Sequence, residues 1–373
     1  MKSKFDIHCL VPDLPDPSEV SAYLQEMHDN RWYTNFGPLN TRFEASMVDF
    51  FASHGSPGLS AQTFSSATTG LELILKAMQL PAGGRVLIPA LTFPATALAV
   101  MNAGLEPVLG DVDPASWELT AETAAAAHTV RPLVAAMPVA AFGRPIAMQD
   151  WQGFQRDTGV PVVVDAAAAL GQQQVPDELT AVFSLHATKP FGVGEGGLAV
   201  SGDAELLLRA KSLSNFGFRG GAGKVQHTGT NAKLGEYYAA VGLVQLERFD
   251  EILERRRSVA AMYLESLRLL GNKIRMQAGI EDFVPAVFPV FAAGKGQAIA
   301  NAMAGAAIQT RHWYLPLLHK HPALRGLNFA MSDRPDSLPV CNELEDGLVG
   351  LPFHAFLSRS DIERICNILV GIL

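Results

Sequence analysis

The chain reads as an α/β protein: a mostly parallel sheet flanked by helices, followed by a smaller C-terminal α+β portion. Three observations predict this. Between residues 63 and 200, helical periodicities alternate with short apolar runs. Several runs, such as RVLIPA and VPVVVDA, are continuous rather than alternating, as strands covered on both faces are. The chain has 373 residues, 48% apolar and 18% charged, enough for a large core and for roughly two domains.

The elements follow in order. Residues 1–17 are proline-rich and extended. Ser18 is placed to cap a helix with Val20, Tyr23, Leu24 and Met27 on its apolar face. Gly37-Pro38 marks a turn, and the next helix shows Phe43, Met47, Phe50 and Phe51 on one side. TFSSATTGLELILKAMQL reads as a polar turn feeding a helix. RVLIPA is a strand, TFPATALAVMNAG a helix and EPVLGDVD a strand. The alanine-rich 121–127 is helical, PLVAAMPV strand-like, 148–158 helical and VPVVVDA a strand. Residues 179–185 and 197–200 add two strands, and 203–215 a helix. FGFRGGAGKVQHTGTN, residues 216–231, is a glycine-rich loop that could act as a lid or touch a partner. Residues 234–258 read as one long helix ending in Arg255, Arg256 and Arg257, whose charges suit a helix C-terminus. The C-terminal portion has strands at 283–291 and 308–311 and a last helix at 360–373. The domains are expected to be 1–250 and 251–373, with the boundary within or at the end of the long helix.

Composition excludes several classes. A net charge of -8, with no basic cluster long enough to track a phosphate backbone, argues against nucleic acid. Cys9, Cys341 and Cys366 match no metal spacing and give no disulfide framework, so a reduced, cytoplasmic setting fits. The N-terminus has no apolar signal region, and the most apolar window, 86–103, is broken by Pro89 and Pro94.

The chemistry centres on SLHATKPFGVGEGG, residues 184–197. Lys189 stands there between two apolar runs, and a lysine on a Gly-rich turn at a sheet end is suited to Schiff-base work on a carbonyl. Three features keep it company. Asp165 ends the strand VPVVVD, on the strand-end edge where open α/β sheets bind ligands. It needs a cationic partner, either a protonated ring nitrogen or a neighbouring arginine. Ser65-Ser66-Ala67-Thr68-Thr69 precedes a helix and serves as an anion site or as a plain cap. Phe93 follows RVLIPA and offers an aromatic face to a flat ring, or packs in the core. Together they match what pyridoxal phosphate demands. Gly192, Gly194, Gly196 and Gly197 do not form GxGxxG and precede a strand, which excludes a dinucleotide fingerprint.

On these residues the sequence resembles the DegT/DnrJ/StrS sugar aminotransferases, of fold type I among pyridoxal-phosphate enzymes. The segments NFGPLNTRFE, SSATTGLELIL, VLIPALTFPATALAV, FSLHATKPFGVGEGG, GTNAKLGEYYAAVGLVQLERFDEILERRR, TRHWYLPLLH and LPFH carry the resemblance in order. It implies a seven-stranded-type sheet, the cofactor pyridoxal 5'-phosphate (PLP), and transfer of an amino group from L-glutamate to the keto group of a nucleotide-linked deoxysugar, in polysaccharide or secondary-metabolite sugar synthesis. Lys189 would carry the cofactor and shuttle the proton. Asp165 would pair with the ring nitrogen and Phe93 would stack on the ring. Ala67 (through its backbone), Thr68 and Ser184 would hold the phosphate. Asn231 would reach the phosphate of the neighbouring subunit in a homodimer with shared sites. Asn35, His312, Tyr314 and His319, with Arg219 or Lys224 for the diphosphate, are candidate substrate contacts.

Two positions depart from the family. Ala168 stands where a Gln or His usually meets the ring hydroxyl, and Ala67 where a glycine is common. A dehydratase, an aminocyclitol aminotransferase and a non-catalytic PLP-binding relative are the alternatives. Lys189 favours transamination over dehydration, because dehydratase relatives carry histidine there.

Overall fold

The computed structural model describes residues 4–219, 223–332 and 334–373. The loop expected at 216–231 therefore lies partly outside the described residues, at 220–222.

The N-terminal half alternates as expected. Helices α1 (Pro17–Asn30) and α2 (Pro38–Ser53) lead into strand β1 (Ser60–Phe64). Then come α3 (Ala67–Ala77), β2 (Arg85–Pro89), α4 (Pro94–Asn102), β3 (Glu106–Gly110), α5 (Ala121–Val130), β4 (Ala135–Ala136), α6 (Met148–Thr158), β5 (Val163–Asp165), β6 (Thr180–Ser184), β7 (Gly197–Ser201) and α7 (Ala204–Ser214). The strands form two four-stranded ladders, ordered β1-β7-β6-β5 and β4-β2-β3-β9, where β9 is Asn328–Phe329. Parallel bridges Ala136↔Val162 and Val139↔Asp165 connect the ladders. Strands β2, β3 and β4 pair in parallel, as do β5 and β6, while β7 runs antiparallel to both β1 and β6. The reversal follows from residues 185–196, which contain no crossover helix and return the chain beside itself.

Several expectations are corrected. Asp16, not Ser18, caps α1: its carboxylate accepts from the Ser18 N–H at 2.9 Å, and the Glu19 carboxylate accepts from the Asp16 N–H at 2.7 Å. The turn read from residue 63 overlaps the last two residues of β1, where the polar Thr63 is buried and donates to Asn40 and Glu44. The long helix is two, α8 (Glu236–Glu247) and α9 (Phe249–Leu267), separated at Arg248. Arg255, Arg256 and Arg257 consequently lie inside α9 rather than at a C-terminus. Arg256 is buried, donates to the Pro285 and Ala286 carbonyls and lies over the Phe353 ring. Arg255 pairs with Asp13 at 2.9 Å.

The C-terminal part holds β8 (Phe288–Phe291), α10 (Gly296–Gly305), α11 (Pro339–Glu345), β10 (Leu348–Leu351) and α12 (Arg359–Ile372). Strands β8 and β10 pair antiparallel, and the strand expected at 308–311 is reduced to the bridges Ile7↔Ile308 and Arg311↔Gly350. Tyr263, Phe288 and Phe353 stack at its centre, and Ile7 from the N-terminal arm joins their cluster. Among the described residues no helix is long and apolar enough to cross a membrane.

Candidate active site

The carboxyl end of β5 delivers Asp165 into a cleft between the ladder edge and residues 313–314. The side chain is buried, and its two oxygens are held separately. Thr96 Oγ1 donates to Oδ2 at 2.7 Å, and the Ala167 N–H donates to Oδ1 at 3.2 Å. Thr96 is itself fixed by Thr92, hydroxyl to hydroxyl at 2.8 Å. Burial pushes the Asp165 pKa up, against the pull of these two donors and of Lys189.

Lys189 sits on the loop between β6 and β7. Its backbone N–H donates to the His186 carbonyl, and the loop is pinched by the Ala187 N–H donating to Gly194 and the Val193 N–H to Leu185. The side chain lines the same cleft as Asp165, and its amine forms no hydrogen bond or ion pair among the described residues. Burial lowers its pKa, while the Asp165 charge raises it. An amine so placed spends more time neutral than a surface lysine and is the better nucleophile.

Helix α3 begins at the cleft wall. Ser66 is its cap: its hydroxyl accepts from the Thr69 N–H at 3.1 Å, and the Thr69 hydroxyl accepts from the Ser66 N–H at 3.2 Å. The capping role thus uses the Ser66 hydroxyl. The first-turn N–H groups of Ala67 and Thr68 have no partner within the helix and remain for an anion. Ser184, at the end of β6, borders the same corner. Gly197 makes this corner possible, because an added Cβ would lie 2.4 Å from the Ser66 carbonyl and 2.5 Å from the Ala67 nitrogen. Gly197→Ala is therefore expected to cost about 1–3 kcal/mol of stability. It should also weaken PLP binding, both readable in thermal melts with and without cofactor.

Phe93 stands at the start of α4 with 54% of its surface exposed, its ring facing the cleft rather than packed in the core. Tyr314 and Trp313 form the facing wall. Thr92, Thr96, Trp313 and the His186–Glu195 pair at 3.6 Å were not singled out from sequence. The i, i+4 threonines around Phe93-Pro94 were the one readable signal among them.

The remaining expected residues fall elsewhere. Asn231 is exposed, accepts from Lys233 Nζ at 2.8 Å and does not line the cleft. Asn35 is exposed with φ 61°. The Arg219 guanidinium is paired with Glu205 at 2.9 Å. His319 packs edge-on to Phe329 in a separate depression with Lys320 and Arg325, and burial lowers its pKa. His312 is half-buried and Lys224 exposed, and neither lines the cleft. The cleft thus gathers Ala67, Thr68, Phe93, Asp165, Ser184, Lys189 and Tyr314, and leaves out the rest.

Residues 16–370 match the DegT/DnrJ/EryC1/StrS aminotransferase family. The dTDP-4-amino-4,6-dideoxy-D-glucose transaminase of Escherichia coli is 28% identical over 372 residues, covering 96% of this chain and 97% of its own. A putative PLP-dependent aminotransferase from Bacillus cereus has a solved structure that superposes with a TM-score of 0.89 at 28% identity, covering 98% of this chain and 99% of that one. DesI, solved in the presence of its TDP-sugar product, superposes with a TM-score of 0.84 at 30% identity, covering 99% and 93%. The match runs through both the cleft and the C-terminal ladder, so the chain as a whole, and not its lysine loop alone, belongs to the DegT/DnrJ/EryC1/StrS aminotransferase family.

Proposed function

We propose that this aminotransferase passes the amino group of L-glutamate to the keto group of a nucleotide-linked deoxysugar, in polysaccharide or secondary-metabolite sugar synthesis, with PLP as the carrier. The observation that carries the reading is the Lys189 amine, unpartnered among the described residues, in one cleft with the buried Asp165 carboxylate. A carboxylate buried this deeply is costly unless a cation meets it, and a protonated ring nitrogen is such a cation. The exposed Phe93 face and the open N–H groups at the start of α3 fit the ring and the phosphate of the same group.

When bound, PLP supplies an electron sink that acidifies the C–H beside the amine it carries. The chain's residues do the rest. Asp165, steadied by Thr96 and Ala167, keeps a proton on the ring nitrogen. Phe93 orients the ring. The backbone of Ala67, with Thr68 and Ser184, anchors the phosphate. Lys189 Nζ would move the proton between the two carbons that flank the transferred nitrogen, which its lowered pKa allows. Glutamate loading and sugar amination reuse this one base, giving a reversible two-half cycle.

The reading includes further parts. The two ladders and their bridges act as one seven-stranded sheet, with β9 added at the edge. The chain divides near 250, close to the helix break at Arg248. Asn231 contacts the phosphate of a second copy in a homodimer; the exposed Trp32, Tyr33, Tyr237 and Tyr238, the last of them next to Gly194 of the lysine loop, support this. Tyr314 faces the substrate side, while Asn35, Arg219 and His319 are outer contacts to the sugar nucleotide. Three free, buried cysteines suit a cytoplasmic setting.

Incubation with L-glutamate and a panel of keto-sugar nucleotides tests the reaction. Equal amounts of 2-oxoglutarate and amino-sugar nucleotide are expected. Loss of a sugar oxygen with no glutamate consumed would replace transamination by dehydration.

A further inference from the structure

Ala168 lies three residues beyond Asp165 and lines the cleft with Val139 and Ala140. These side chains offer no hydrogen-bond donor to anything bound there. Among the described residues, the hydroxyl of Tyr314 lines the same cleft. The Phe142 N–H donates to it at 3.3 Å. Phe142 leads into Gly143, where an added Cβ would lie 2.9 Å from the Ala168 carbonyl oxygen, and Val139 bridges to Asp165. The phenol and the alanine therefore share one corner.

A phenol carries one proton and also accepts through its lone pairs. Phe142 uses the accepting side, and the proton has no acceptor among the described residues. The ring is fixed by Phe142 at 4.8 Å and by Trp313 stacked at 6.3 Å. Burial pushes the Tyr314 pKa up to about 12; the Phe142 N–H opposes this and the Asp165 charge adds to it. The hydroxyl therefore keeps its proton at neutral pH and remains a donor.

We propose that the Tyr314 hydroxyl donates to the ring hydroxyl oxygen of bound PLP, supplying the contact that Ala168 cannot make. This rests on the PLP reading above. A donor on that oxygen draws away electron density that would otherwise hold the proton of the adjacent lysine–cofactor linkage. The linkage should thus lose its proton at lower pH in the parent protein than in Tyr314→Phe.

The test is a pH titration of the visible absorbance of PLP-loaded protein. Tyr314→Phe is expected to raise the midpoint by about one pH unit, the effect of one hydrogen bond to a charged group. The variant keeps both ring contacts and so retains the fold. It does leave the Phe142 N–H unpaired, a structural loss that lowers the melting temperature without moving the spectral midpoint. Lys189, Asp165, His186 and Glu195, the titratable groups lining the cleft, are the same in both proteins. The double variant Tyr314→Phe with Ala168→Gln returns a donor to the same corner and should bring the midpoint back down. Equal midpoints in the parent protein and Tyr314→Phe, at equal cofactor content, would overturn the proposal. A parent protein that gains no visible band with PLP would overturn the cofactor reading and this inference together, so the two failures are distinct.

Discussion

Lys189→Ala is expected to lower turnover by about 10³-fold or more and to remove the visible band of the lysine-linked cofactor, while the fold persists. The amine makes no hydrogen bond or ion pair among the described residues, so its removal breaks no packing network. It even relieves the cost of a buried amine, the burial that lowers its pKa. The melting temperature without cofactor should therefore hold or rise while activity vanishes. No other described residue in the cleft offers an amine. His186 is the nearest base by sequence, but its Nε2 faces Glu195 and its Nδ1 is engaged with Thr188 at 2.8 Å. An active Lys189→Ala variant in single-turnover assays would remove the lysine from the chemistry.

The second large effect is Asp165→Asn. The amide is nearly isosteric, so Thr96 and Ala167 keep their neighbour, although the amide nitrogen cannot accept from either. What disappears is the charge. A neutral side chain cannot hold a proton on a ring nitrogen, and the electron sink weakens. Turnover should fall by about 10²–10⁴-fold, the range typical for a group that governs proton transfer. PLP binding should weaken less, because the phosphate corner at Ala67, Thr68 and Ser184 is untouched. Stability without cofactor should rise, since burial already penalises the Asp165 charge. A variant with unchanged turnover would show that the carboxylate is structural only.

How much of this was legible in the sequence depends on how local each signal is. Lys189, Asp165 and Phe93 each follow a continuous apolar run, and a parallel sheet brings such run ends to one edge. Ser66 and Thr69 announce the start of α3 by their spacing. Strand β1 was missed because Thr63 reads as the start of a polar turn. Its burial rests on its partners Asn40 and Glu44, 23 and 19 residues back. The break at Arg248 was missed because neither glycine nor proline marks it. Placing Tyr314 needed the contact with Phe142, 172 residues away, which no local pattern announces. Arg219 is paired with Glu205 on the preceding helix, a partner that no local pattern announces.

The most direct test of the central claim, that Lys189 holds the cofactor in this cleft, is covalent trapping. Protein loaded with PLP is reduced with borohydride, digested and mapped by mass spectrometry. The expected result is one cofactor adduct per chain, on Lys189, that is absent when L-glutamate is added before reduction. An adduct on another lysine, or none on Lys189, would contradict the account.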